Sequence, residues 1–257
     1  MQDFVENLEV KWKEVDVLIE TAKKVRNENE DLYNALCRSI TILIVSHLEG
    51  FTKDLVKNFI RDLNINCTFQ ELKKPIQRTY CLQYVGEDTN QSVKITNLIE
   101  KFSEYNCDIG AEAFLFDKNK NPNSGIITII FNNFGFNKVF QSIEKSEILN
   151  SIFADKSQNN KIKEDLKQEL LVGLKTFPFE VQKLMEKYEI EKVKKPHNRK
   201  TLWEEFISET NKKRHDIAHG NNFANIDDIH SLEKRKEEVI IFQYILILIL
   251  TGVDIKK

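Results

Sequence analysis

The residues best suited to catalysis lie close together near the C-terminus. Two of the five histidines fall in the segment Arg214-His215-Asp216-Ile217-Ala218-His219-Gly220. Histidine can accept or donate a proton near neutral pH, and a guanidinium group can bind two phosphate oxygens at once. The segment therefore has the residue types needed to bind a phosphodiester and to move protons while it is cleaved.

Three interpretations of this segment are open. In the first, its basic residues only stabilise the negative end of a helix dipole. In the second, His215 and His219 bind a metal ion, since residues four apart share one helix face. The zinc-peptidase pattern, however, has Glu directly after the first His, where this chain has Asp216. In the third, Arg214 and His219 form a metal-free pair that cleaves RNA, with histidine as base or acid and arginine stabilising the phosphorane.

The spacing of the pair raises a geometric problem. Residues five apart on a regular helix differ by about 140° in direction and about 7.5 Å in height. Arg214 and His219 of one chain would therefore not converge on one phosphate unless the helix end bends. A two-fold dimer with the motifs facing across a cleft would solve this and would provide two histidines.

The elements that must position these residues are predicted to be helices. Eight glycines and four prolines in 257 residues indicate long, uninterrupted elements. The β-branched residues of GIITIIFNNFGF favour a strand, whereas Asn123 or Ser124 as a cap and Gly135 as a stop favour a helix. We expect a helix because no second strand is evident to pair with this run. Asp227 or Asp228 would cap a last helix running to about Gly252. Apolar residues at steps of three and four predict further helices over 3–26, 32–63, 92–105, 139–153, 161–174, 178–189 and 200–217.

Two segments need separate interpretation. The last helix ends in VIIFQYILILILTGV, which is short for a membrane span of about twenty apolar residues. We therefore expect a helix of the core or of a subunit interface. Residues 64–90 lose the helical period and contain a proline, so they are predicted to be a connector with a short helix at best. Gly50, inside the second helix, would permit close approach of another helix.

Composition narrows the class of protein. A net charge of −2 and a pI near 6.3 exclude a generally basic nucleic-acid-binding protein but allow a local basic strip. The acidic N-terminus lacks the features of a secretory signal, so we expect a cytoplasmic protein without a membrane anchor. The four cysteines include no C-x-x-C pair, which predicts reduced thiols rather than a zinc or redox site.

Basic residues precede the motif. Lys192, Lys194, Lys195, Arg199 and Lys200 cluster around Pro196, and Lys212 and Lys213 adjoin Arg214. Such a run is usually a solvated surface, but lysines leading to a phosphate site would attract RNA. The residues chosen as RNA-binding candidates are Lys212, Lys213, Arg199 and Lys200.

Two segments resemble the HEPN superfamily (higher eukaryotes and prokaryotes nucleotide-binding). In KKRHDIAHG, Arg214 matches the signature arginine, His215 the polar position and His219 the terminal histidine. The segment LIVSHLEGFTKDLVKNF, at 43–59, is similar to the first core helix of HEPN proteins from bacterial conflict systems. The middle of the chain, about 64–190, resembles the family only loosely.

The resemblance implies an all-α fold, a helical bundle of HEPN type with a central helical insertion. Residues 1–257 would form one domain, with a core hairpin over 1–63 and a variable middle over 64–190. The motif helix and the C-terminal helix would occupy 191–257.

The resemblance also implies a function. The protein would be a homodimeric, metal-independent endoribonuclease without a cofactor, acting as a toxin or antiviral defence effector. Its partners would be RNA and an antitoxin or regulatory protein, and its product a 2′,3′-cyclic phosphate. His219 would be general base or acid, Arg214 would bind the scissile phosphate, and His215 would orient or assist.

Glu49 is the match for an acidic core-helix residue that joins the site in some HEPN ribonucleases. The alternative is structural, because Arg38 and Glu49 would share one helix face. Two other functions also remain open for the whole chain. One is a non-catalytic HEPN scaffold that binds nucleotide or a protein partner, and the other is a nucleotidyl-transferring or RNA-modifying activity in the same cleft.

Overall fold

The computed structural model describes residues 1–86, 90–115, 123–154, 156–193, 197–220 and 227–256. These residues form helices and contain no strand, only an isolated bridge between Leu72 and Lys256. The all-α prediction is confirmed. The α-helices are α1 (Gln2–Glu6), α2 (Lys13–Val25), α3 (Glu30–Asn66), α4 (Lys74–Leu82), α5 (Gln91–Tyr105), α6 (Ser124–Asn133), α7 (Val139–Ser142), α8 (Glu147–Ala154), α9 (Asn159–Gly173), α10 (Gln182–Lys187), α11 (Leu202–Ala218) and α12 (Ile229–Thr251).

The longest described helix is α3, and its sequence explains its length. The Asn29 side chain caps it by accepting a hydrogen bond from the Leu32 backbone N–H at 3.0 Å. No proline interrupts it, and buried apolar residues recur on one stripe from Cys37 to Leu63. Its length and hydropathy are also sufficient for a membrane-spanning helix, but buried core helices can have the same length and hydropathy. Here α3 packs against α2, α11 and α12.

The C-terminal helix α12 lies in the centre of the core. Asp228 caps it by accepting hydrogen bonds from the backbone N–H groups of His230 and Ser231. All side chains from Val239 to Leu250 are buried within the same chain. Of the two predicted positions for this helix, core or subunit interface, the structure therefore shows the core.

Helices α3 and α12 run parallel. At one end, the Tyr33 hydroxyl accepts a hydrogen bond from the Ile229 backbone N–H at 3.1 Å. At the other end, Lys256 donates to the Asn66 carbonyl at 3.3 Å. The start of α12 therefore lies beside the start of α3.

Helix α11 runs antiparallel to both. Near its start, the Trp203 ring stacks on Phe242 with ring centroids 5.3 Å apart. Near its end, Lys213 contacts Asp227, immediately before α12. The C-terminal turn of α11, which carries the motif, thus lies beside the starts of α3 and α12.

Several helix boundaries differ from the predicted ones. The helix predicted over 3–26 is divided into α1, a short 3-10 helix over Glu9–Trp12, and α2. The helix predicted over 139–153 is divided because the Ser146 hydroxyl accepts from the Leu149 N–H and starts α8. The helix predicted over 178–189 is reduced to α10. Segment 64–90, predicted as a connector with a short helix at best, contains the nine-residue α4.

Gly50 does not serve a close helix contact. A Cβ atom at this position would meet no atom within 4 Å. The prediction of a tight approach at Gly50 is therefore wrong.

Candidate active site

Local sequence explains the position of the motif at the end of α11. The helix begins with a capping box, in which the Thr201 hydroxyl accepts from the Glu204 N–H and the Glu204 carboxylate accepts from the Thr201 N–H. It ends at Gly220, whose φ of 68° is readily adopted only by glycine. The His219 N–H still donates to the His215 carbonyl at 3.0 Å. The backbone is therefore helical up to His219.

The two histidines of the motif lie side by side. Their ring centroids are 4.2 Å apart, with an angle of 49° between the ring planes. Both side chains are exposed, and Arg214 is half-buried. Among the described residues, no side chain or backbone group forms a hydrogen bond or ion pair with the side chain of any of the three.

The helix end does not bend to bring Arg214 towards His219. Because the regular hydrogen bond persists at His219, the two residues keep directions about 140° apart on the helix. One chain by itself therefore presents the histidine pair and the arginine to different sides of the same helix end. A phosphate that contacts both an arginine and a histidine of the motif would need a second protein surface beside this helix end.

Of the two motif lysines, only Lys212 is exposed and without a partner among the described residues. The Lys213 ammonium donates to both carboxylate oxygens of Asp227, at 2.6 and 2.8 Å, and lies 3.3 Å from Glu209. Asp227 stands directly before the cap of α12. Lys213 was predicted to bind RNA, but in the structure it connects the end of α11 to the start of α12.

Arg199 and Lys200 do not adjoin the motif. They precede the start of α11, and the motif lies at its end, about 24 Å away along the helix. Arg199 is 81% exposed and donates to Glu144 at 3.3 Å, while His197 lies 2.6 Å from the same carboxylate. The predicted basic strip leading into the site is therefore separated from it, and Lys194, Lys195 and Pro196 lie outside the described residues.

Glu49 also lies away from the motif. It follows Tyr33 by sixteen residues, so it is about 24 Å further along α3 than the level of the motif. Its carboxylate pairs with Lys53 at 2.6 Å, on the next turn of the same helix. Within one chain the structure does not bring Glu49 to Arg214 and His219, and Arg38 is not its ion-pair partner.

A metal site would need more ligands than the two histidines. The described residues contain no group of three or more His, Cys, Asp and Glu side chains that could hold a metal ion. Hydrogen bonds from Ser231, on its hydroxyl and backbone, hold the pKa of Asp228 below its usual range and commit that carboxylate to capping α12.

Comparison with known proteins agrees with the all-α fold. A family model described as RiboL-PSP-HEPN matches residues 7–251, nearly the whole chain. The chain therefore belongs to the RiboL-PSP-HEPN family, within the HEPN superfamily. No curated protein and no solved structure matches it. Membership supports a nuclease or RNA-related role.

Proposed function

We propose that the protein is a homodimeric endoribonuclease that cleaves RNA without a metal ion. One observation carries the proposal: Arg214, His215 and His219 stand at an accessible helix end with no partner among the described residues. Structural charges are usually paired, as Lys213 is with Asp227 in the same turn. Groups left free to bind an anion and exchange protons are what RNA cleavage requires.

The reaction needs a base, an acid and a positive charge near the phosphorane, and Arg214 and His219 of one chain supply two of these three roles. A dimer provides a second histidine for the remaining proton transfer. One imidazole takes the proton of the 2′-hydroxyl, whose oxygen then attacks phosphorus. As the bond to the 5′-oxygen breaks, an imidazolium gives that oxygen a proton, leaving a 2′,3′-cyclic phosphate and a 5′-hydroxyl. Arg214 neutralises the phosphorane oxygens. His219 is base or acid, and His215, in contact with it, orients it or assists.

The geometry of one chain supports the proposed dimer. Arg214 and His219 point in different directions from a helix that stays regular. A single phosphate can contact an arginine and a histidine of the motif most simply where two copies of the chain meet. Each copy then contributes its arginine or its histidines to a shared cleft. Glu49 is left out of this site because the chain places it far along α3.

Family membership is compatible with a biological role that we include in the proposal. The ribonuclease would act in the cytoplasm as a toxin or antiviral effector, restrained by an antitoxin or regulatory protein. A neighbouring gene for such a regulator would support this role.

The direct test is cleavage of a labelled RNA by the purified protein in EDTA. We expect cyclic phosphate ends, and a rate at least about 100-fold lower for Arg214→Ala and for His219→Ala, the usual contribution of such groups. His215→Ala should cost less. Arg61→Ala and His230→Ala are matched controls, because they remove exposed residues of the same types elsewhere.

Two results would contradict the proposal. Cleavage that requires an added divalent cation would favour the metal alternative. RNA or nucleotide binding without any cleavage would favour the non-catalytic scaffold, which the divergence of Arg214 and His219 within one chain also allows.

A further inference from the structure

A groove between α4, α5 and α6 differs in its lining from two other cavities of the described residues. Its volume is about 410 Å³. No carboxylate lines it, whereas Glu144 and Glu191 line a cavity of about 420 Å³ and Glu14 and Asp54 line one of about 220 Å³. The lining of this α4 groove includes Lys74, Arg78, Asn132, Pro75, Leu82 and Ile95.

The two cations of the α4 groove are available for a ligand. Lys74 and Arg78 are one turn apart on the same face of α4, and both are exposed. Neither has an ion-pair partner in the part of the chain that the structure describes. The preceding residue, Lys73, by contrast pairs with Asp254.

The start of α4 is also arranged in favour of an anion. Its first turn has no acidic residue, and no side chain caps it. Lys74 is its first residue, so a cation stands at the positive end of the helix dipole, which is electrostatically unfavourable. An anion bound in the groove would offset this repulsion.

The other lining residues favour a ligand that has polar and apolar groups in addition to its negative charge. The Asn132 amide can donate to phosphate or sugar oxygens, as can the basic pair. Leu82 and Pro75 are exposed aliphatic surfaces that a ribose can cover. This combination of charge, amide and aliphatic surface matches a nucleic-acid backbone.

We propose that the α4 groove is a second RNA contact, which binds the backbone of a strand whose scissile phosphate lies at Arg214 and His219. The inference rests on the proposed ribonuclease function. Lys73 donates from its backbone to the Ile255 carbonyl, so the groove lies at the far end of α12 from the motif. Along α12 that separation is about 33 Å, or roughly ten stacked nucleotides.

The first test measures binding, so that it does not depend on cleavage. Full-length protein with His219→Ala is titrated against a labelled 30-nucleotide RNA at several salt concentrations. Adding Lys74→Ala and Arg78→Ala should weaken binding about tenfold and make the salt dependence shallower by about 1.4 in log–log slope. Lys57→Ala with Arg61→Ala is the control, an exposed Lys–Arg pair with the same spacing on α3.

Unchanged affinity in the Lys74/Arg78 variant would overturn the inference, as would an equal loss in the Lys57/Arg61 control. The other occupant of an apolar and basic groove is an acidic peptide. Polyglutamate that competes with the RNA as strongly as an unlabelled RNA of equal charge would therefore also overturn it.

The second test uses cleavage by otherwise wild-type protein. A tetranucleotide is too short to reach from the motif to the groove, so removing Lys74 and Arg78 should leave its kcat/KM unchanged. For the 30-nucleotide RNA, kcat/KM should fall about tenfold, and equal losses for both lengths would contradict the inference. If the wild type binds RNA through the groove but never cleaves it, the proposed function fails while the groove contact stands.

Discussion

Unlike the motif side chains, the partly buried carboxylate of Glu9 has partners within the fold. It accepts hydrogen bonds from Lys167 and from the Tyr244 hydroxyl at 2.9 and 2.8 Å. Buried polar groups need such partners, because an unpaired one costs about 1–3 kcal/mol. Arg214 and His219 avoid that cost by staying at the surface, where water satisfies them until a ligand does.

Glu238 is a carboxyl group whose charged form is disfavoured by burial. It is 5% exposed, and burial raises its pKa, although Lys234 lies 3.6 Å away and opposes the shift. A carboxyl group whose pKa is higher in the folded than in the unfolded chain stabilises the fold at low pH. That contribution is lost as the pH rises from the unfolded value of 4.5 through the folded pKa.

We therefore expect Glu238→Gln to stabilise the protein at neutral pH. The amide keeps the shape and removes the buried charge, so the free energy of unfolding at pH 7.5 should rise by about 1 kcal/mol. The gain should shrink at pH 4, where wild-type Glu238 is protonated in both states. Urea denaturation at pH 7.5 and at pH 4 measures the change in the free energy of unfolding. Glu100→Gln, at an exposed position, is the control. A gain independent of pH would contradict this account.

At the scale of elements, the ion pair between Lys213 and Asp227 connects the end of α11 to the start of α12. We expect Lys213→Ala to loosen this junction and to lower kcat about tenfold with little change in KM, since RNA does not contact the ammonium. Asp227→Ala should do the same, and the double variant should be no worse than either single one. Lys213→Arg should retain most of the rate.

An RNA-binding role for Lys213 would give a different pattern. Its loss would raise KM and flatten the salt dependence, while loss of Asp227 would not mimic it. Steady-state kinetics of the four variants at two salt concentrations separate the two roles.

Helices could be predicted from the sequence wherever one apolar stripe decided the packing. The stripe from Leu32 to Leu63 is long enough to indicate α3 nearly to its ends, and Asp228 was correctly placed among the candidate caps of α12. The interruption before α2 was not visible. Trp12, which lies at the break, donates to Gln243, more than two hundred residues away, and the local period carries no information about such a long-range contact.

Long-range packing also limits what the sequence can predict about the candidate site. The motif at the end of α11 was predictable because Gly220 and the residues after it mark a helix end. The placement of Glu49, Arg199 and Lys213 was not, because each depends on which helix lies beside which. Parallel packing of α3 with α12 puts Glu49 at a different level, and antiparallel packing of α11 puts Arg199 at the opposite end. The α4 groove had no sequence signal, since Lys74 and Asn132 are far apart in the chain.

At the scale of the whole molecule, the motif and the α4 groove lie at opposite ends of α12. The motif lies where α3 and α12 begin, and the α4 groove lies beyond the end of α12. If both proposals hold, one RNA strand would connect the two surfaces. A long RNA would then be held at one end and cut at the other.

The proposal that two copies of the chain share an active site leads to the last prediction. If each site takes Arg214 from one subunit and His219 from the other, mixing Arg214→Ala and His219→Ala proteins yields heterodimers with one intact site and one that lacks both residues. Random mixing makes about half of the dimers heterodimers, so about one quarter of wild-type RNA cleavage should return. Each variant alone stays inactive. Size-exclusion chromatography with light scattering checks the dimer, and a dimeric mixture that remains inactive would show that each chain cuts RNA with its own Arg214 and His219.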